Sequence, residues 1–158
     1  MNHRQLLETY ARQAARPAQW IAGLSRQELL GHPVPGTWSI QHLVVHVLDS
    51  DLIATHRMRR MVAEDMPLLI AYDETLFARN LDYDHADLAL VCDLFALNRR
   101  FTAQWLAGAP DAAFARQGVH NQRGKVSVAD LLAVYVDHVT HHEKFLLDKR
   151  RALGKPLA

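Results

Sequence analysis

His138 and His142 stand four residues apart in LLAVYVDHVTHHEKFLL (131–147), a stretch with sustained helical periodicity. Imidazoles at that spacing lie one above the other on a helix face, which is how one helix offers two ligands to a metal. His46, far upstream in a second helical segment, could supply a third ligand. Three neutral histidines around a divalent cation leave coordination positions open, and open positions are where metal chemistry takes place. The chain carries ten histidines. Scattered surface positions account for most of them, but not for two on one apolar face.

On a wheel of about 100° per residue, Leu131, Val134, Tyr135, His138, His142 and Phe145 share one side. An imidazole inside that stripe needs a partner, because an unpaired buried polar group costs roughly 1–3 kcal/mol, and a metal satisfies both rings at once. His141 lies at the edge of the stripe. In the upstream segment Ile40, Leu43, Val44, Val47, Met58 and Met61 form the apolar face. His46 sits on its shoulder beside Ser50 and Arg57, where a ligand in an interhelical groove belongs. His42 makes a second H-x-x-x-H with His46 but points toward the polar side. Asp51 falls on the apolar face itself, and a buried carboxylate wants a partner, either near the metal or behind a ligand imidazole. Asp51 and Asp49 are the candidates to carry a proton. Arg57 and Tyr72 are candidates to contact substrate. Trp20, Trp38 and Trp105 read as core anchors, and Tyr72–Asp73–Glu74 reads equally as an ordinary turn.

The elements that must position these residues are helices, so the expected class is all-α. A first helix spans about 2–15, and Pro17 kinks or restarts it before Trp20. Ser25 with Glu28 forms a capping box over one short turn. A second long helix runs from 38–39 to about Glu64, ended by Met66–Pro67. Residues 68–83 form a long connection with room for a short helix. The third helix runs from about Asp84 to Ala107, with Leu90, Leu94, Phe101 and Trp105 at helical spacing. After a loop with a possible hairpin near 121–124, the fourth starts at Ser127, with Asp130 as capping partner, and ends before Gly154–Pro156. Four long helices imply a bundle, and the long second connection lets helices two and three run parallel.

The 158 residues, 49% hydrophobic and 22% charged, fit one globular domain over 1–158. The net charge of +1 gives no electrostatic reason to expect nucleic acid. No apolar run is long enough to span a membrane, and the start lacks a signal-peptide core. A single cysteine, Cys92, within a helical pattern fits a reducing cytoplasm and a buried, unreactive thiol.

GTWSIQHLVVHVLDSD (36–51), AYDE (71–74) and VHNQRGKVSVADLLAVYVDHVTHHEKFL (119–146) together resemble the DinB/YfiT-like superfamily. The resemblance spans roughly 24–147. It implies a four-helix bundle in up-down-down-up order with a long crossover between helices two and three, commonly dimeric. It also implies that His46, His138 and His142 are the ligands of one nickel, zinc, iron or manganese ion. The nearest branch is the YfiT-type metal-dependent hydrolases. The wider superfamily includes S-transferases that use small thiols and a maleylpyruvate isomerase. The chain departs from the YfiT pattern at Asp51, Asp137 and Phe145, so no substrate carries over.

The residues thus point to a metal-dependent enzyme acting on a small molecule, activating either a water as a hydrolase or a low-molecular-weight thiol as an S-transferase. A non-catalytic metal-stabilised dimer, or a binding protein with a vestigial site, fits the same residues. So does a metal-free cluster in which the histidines bond Tyr135, Asp51 or each other.

Overall fold

Capping chemistry fixes most of the element boundaries. The structure is a computed structural model that describes residues 2–157. Helix α1 (His3–Arg12) starts at Asn2, whose side chain accepts from the Gln5 amide. A 3-10 turn (Gln13–Ala15) leads into α2 (Arg16–Ile21), with Pro17 in its first turn, so the expected restart falls at that proline. Helix α3 (Arg26–Leu30) carries the Ser25–Glu28 capping box. Helix α4 (Ile40–Ala63) is capped by Ser39, and α7 (Val128–Ala152) by Ser127 with Asp130. Between them lie a two-residue strand β1 (Leu68–Leu69), helix α5 (Glu74–Asn80) and helix α6 (Leu88–Ala107), then strands β2 (Gln117–His120) and β3 (Gly124–Ser127).

The long helices α1, α4, α6 and α7 form the bundle, in up-down-down-up order. Pairings along their lengths give the directions. Gln41, at the start of α4, donates to the carbonyls of Tyr83 and Ala86 just before α6, and Thr55 bonds Thr102 further along both. Helices α4 and α6 are therefore parallel. Gln13 bonds the Val136 carbonyl and Trp20 bonds Glu143, so α1–α2 and α7 are parallel too. Residue 37 meets Lys149 while residue 57 meets Tyr135, so α4 and α7 are antiparallel. The crossover that parallel α4 and α6 demand is residues 64–87, as the length of that connection predicts.

A buried polar layer divides the core. Arg99 of α6 donates through Nε to Asp51 of α4 at 2.9 Å, through Nη1 to Gln13 at 2.7 Å and through Nη2 to the Tyr135 carbonyl at 2.8 Å. Asp51 also accepts from Asn98 (2.8 Å) and from the Tyr10 hydroxyl (3.2 Å). The side chains of Asp51 and Arg99 are each only 1% exposed, so the pair is desolvated, and every remaining lone pair has a donor. On one side of this layer Trp20, Val44, Phe95 and Leu146 pack together. On the other side are Tyr10, Met58, Leu106 and Leu132.

One sequence expectation needs correction. The inward face of α6 is Leu88, Val91, Cys92, Phe95, Arg99, Thr102 and Leu106. Leu90, Leu94 and Phe101, expected inside, are 65%, 41% and 51% exposed. Helix α6 is apolar on both sides, and the polar Arg99 and Thr102 sit on the buried one, so periodicity alone picks the wrong stripe. Beside the all-α bundle the connections form a small mixed sheet in which β1 pairs parallel with β2, and β2 pairs antiparallel with β3. The expected hairpin turn is there, at 121–123. Gly118 is required where β1 arrives: a Cβ there would lie 3.0 Å from the Pro67 carbonyl oxygen. Among the described residues no helix is long and apolar enough to cross a membrane.

Candidate metal centre

Antiparallel α4 and α7 border a cavity of about 730 Å³, roofed by the crossover and the β2–β3 turn. His46 comes from α4, and His138 and His142 come from successive turns of α7. Their Nε2 atoms converge: His138 lies 3.2 Å from His46 and 2.9 Å from His142. One ligand nitrogen from each of the three lies within 4.8 Å of the others. Nitrogens about 2.1 Å from one cation, at angles of about 90–110°, stand roughly 3.0–3.4 Å apart, so the separations of His138 from His46 and from His142 suit a shared ion. Three imidazoles cannot satisfy one another through a single meeting point, and Nδ1 of His46 is buried with no partner. The donor set therefore fits a divalent transition ion.

The electrostatics agree. Burial, reinforced by the neighbouring histidines, pushes the His138 imidazole down to about 2 and His142 down to about 3. Burial also lowers His46, against a pull upward from Glu74. All three rings are neutral at pH 7, with lone pairs free for a metal.

The other candidates divide. Arg57 and Tyr72 both line the cavity. Arg57 donates to the Tyr135 hydroxyl and the Ile70 carbonyl, and the Tyr72 hydroxyl bonds Ser50. Asp51 and Asp49 do not line it. Asp51, expected as a proton carrier or a support for a ligand imidazole, is instead the counter-ion of Arg99; burial raises its carboxyl and Arg99, Asn98 and Tyr10 pull it back. Asp49 accepts from the Tyr83 hydroxyl. His42 pairs with Asp84 outside the cluster, and exposed His141 stacks edge-on against His142 and Phe145. Trp38, expected as a core anchor, stands edge-on to His46 at 5.1 Å in the cavity wall.

Sequence reasoning missed Glu74, His120, Arg123 and Lys149, all of which line the cavity. Glu74 was visible only as part of the AYDE segment. Lys149 continues the stripe His138, His142, Phe145 by one more helical step, a signal that was available and unused.

The sequence matches the model of the DinB superfamily over residues 9–146. A relative in Oceanobacillus iheyensis, named among the metal-dependent hydrolases, is 25% identical over 77% of this chain and 70% of its own length. YfiT of Bacillus subtilis is 28% identical over 75% of this chain and 67% of its own. The solved structure of YfiT, described as a probable metal-dependent hydrolase with an unusual four-helix bundle topology, superposes with a TM-score of 0.90 at 21% identity, covering 97% of this chain and 88% of that one. A mycothiol-dependent maleylpyruvate isomerase shares the fold with a TM-score of 0.70 at 14% identity, covering 90% of this chain and 60% of its own.

Proposed function

From the premise that this chain belongs to the DinB superfamily, we propose that it is a metal-dependent enzyme acting on a small molecule, with His46, His138 and His142 as its ligands. The single observation that carries this reading is the convergence of three neutral Nε2 atoms at the wall of an open cavity. Bound there, a nickel, zinc, iron or manganese ion would act as a Lewis acid toward a water or thiol in its open positions. The names of the relatives favour hydrolysis. The S-transferase reading is favoured by a cavity of about 730 Å³, within the size range of small-molecule sites and roomy enough for a small thiol beside an electrophile.

The protein's own residues then have definite tasks. Leu131, Val134, Trp38 and Phe145 line apolar wall and limit the water beside the histidines. Arg57 and Tyr72 contact the substrate. The proton-carrying part expected of Asp49 or Asp51 passes to Glu74, the carboxylate in the lining that is electrostatically coupled to His46.

We further propose a cytoplasmic homodimer. A second copy has a face to sit on: Leu90, Leu94, Leu97 and Phe101 are 41–65% exposed on α6. Their spacing of four, three and four residues is that of a self-complementary helical seam.

Elemental analysis of untagged protein, followed by cobalt substitution, tests the metal reading. One equivalent of metal lost in His138→Ala is the expected result. Less than about a tenth of an equivalent, with no binding on titration, sinks it. A sulfur-to-cobalt charge-transfer band on adding small thiols selects the transferase reading, and its absence with turnover of an ester or amide selects the hydrolase.

A further inference from the structure

The cavity is electrically lopsided. Its lining holds Arg57, His120 and Arg123 beside the β2–β3 hairpin and Lys149 apart from them, bonded to Thr37, against one carboxylate, Glu74. That carboxylate is coupled to His46.

Arg57 is buried (7% exposed), and no carboxylate among the described residues lies within ion-pair distance of it. Its two bonds go to a phenol and a carbonyl. The other buried arginines are better matched: Arg99 by Asp51 at 2.8 Å, and Arg150 by the three carbonyls of Trp20, Ala22 and Lys155. A buried guanidinium without a counter-ion carries a large desolvation cost, which an incoming anion would offset.

His120 adds a directed donor. It is 6% exposed, and its Nδ1 accepts from the Gln122 amide at 3.2 Å. An accepting Nδ1 leaves the proton on Nε2, and no group among the described residues takes that proton. Burial lowers the His120 imidazole, and both Arg57 and Arg123 push it the same way, so the two guanidiniums lie within electrostatic reach of the ring. Arg123 is exposed and its side chain forms no ion pair with the described residues.

The support is rigid. Strand β2 is held on both sides by β1 and β3, and Asn121 accepts from the Ala71 amide at 2.8 Å. The donors are thus set before any ligand arrives, the arrangement that costs least on binding. The subsite is also adjacent to the histidines: the Tyr135 hydroxyl accepts from Arg57 at 3.1 Å, and its ring centroid is 6.1 Å from that of His138.

We propose that Arg57, His120 and Arg123 form a carboxylate-binding subsite, so that the substrate is a small organic acid held by its anion with its reacting group over the three histidines. The placement of the reacting group rests on the metal reading above; the anion subsite does not.

Calorimetric titration of the zinc-loaded full chain with hexanoate and with its neutral amide, hexanamide, tests it. Hexanoate should bind at least about tenfold more tightly, ~1.4 kcal/mol. The preference should weaken with added salt, fall severalfold in Arg123→Gln and vanish in Arg57→Gln/Arg123→Gln. It should survive in His138→Ala, where a carboxylate bound only to the metal would be lost. Equal affinity for the two probes, no binding of either, or a preference that persists in the double variant overturns the proposal. So does a preference lost in His138→Ala alone. Melting temperatures of the variants exclude misfolding, and the exposed Arg123→Gln change keeps the test valid should Arg57→Gln unfold. Failure of the metal reading shows separately, as a missing equivalent of zinc with the hexanoate preference intact.

Discussion

Replacing Asp51 by Asn should unsettle the whole bundle and leave the metal site intact. The carboxylate is matched to Arg99 at 2.8 Å with both side chains 1% exposed. Asparagine keeps the shape and removes the charge, leaving Arg99 buried without a counter-ion. Removing one partner of a buried pair costs ~3–5 kcal/mol, against a total stability of roughly 5–15 kcal/mol for a domain. At ~2–4 °C per kcal/mol for a chain of this size, the melting temperature should fall by roughly 10 °C. Asp51→Leu with Arg99→Met removes both charges and should recover most of that loss, giving a coupling energy of at least ~2 kcal/mol in a double-mutant cycle. Urea unfolding and calorimetric zinc titration on five proteins (the parent, Asp51→Asn, Asp51→Leu, Arg99→Met and the Asp51→Leu/Arg99→Met pair) read out both halves. Because neither Asp51 oxygen bonds a histidine, zinc affinity of the folded Asp51→Asn protein should stay within about threefold of the parent. Unchanged stability with zinc affinity down more than tenfold would show that Asp51 acts on the ligands, and the structural reading would fail.

The metal-free protein should lose stability as pH falls from 7 to 5. His138 and His142 are held at about 2 and about 3 when folded, below the unfolded value of about 6.5. The unfolded state therefore binds the extra protons. The cost is absent above pH ~6.5, grows as pH drops, and saturates below the folded values. At pH 5 it reaches at most ~2 kcal/mol per histidine, and nearer 1 after solvent screening. A pH-independent urea midpoint between 7 and 5, or an unchanged slope in His138→Gln/His142→Gln, contradicts this. Leu97→Glu on the outer face of α6 should give a monomer by light scattering at micromolar concentration, with its helical circular dichroism retained. A dimer that persists would place the interface elsewhere. Glu74→Gln should slow turnover by roughly 10²–10⁴ at unchanged metal content if it carries the proton, and full activity would return that part to another group.

The bundle was legible because its long helices announce themselves locally: Ser39 and Ser127 cap α4 and α7 as their positions suggest. The ligands were legible because two share a helix at i and i+4, and the third sits on the shoulder of another apolar stripe. What failed needed knowledge of partners distant in sequence. Asp51 has Arg99 for its partner, and nothing near either residue says so. The outward stripe of α6 resembles a core-facing one because leucines occupy both sides of the helix. The strand β1 has two residues, too few for any alternation to register, and its pairing is dictated by the hairpin it meets.

That two-residue strand also bears on the order in which the molecule assembles. Pairing Leu68 with Val119 joins segments separated by the whole of α5 and α6. Such long-range closures come late, since chain entropy must be surrendered before the contact returns anything. On dilution from urea, helical circular dichroism should therefore recover before the roof of the cavity closes. Bringing His46 to His138 closes a longer stretch still, 92 residues, so a newly made chain would hold its helices before it holds a site for any cation.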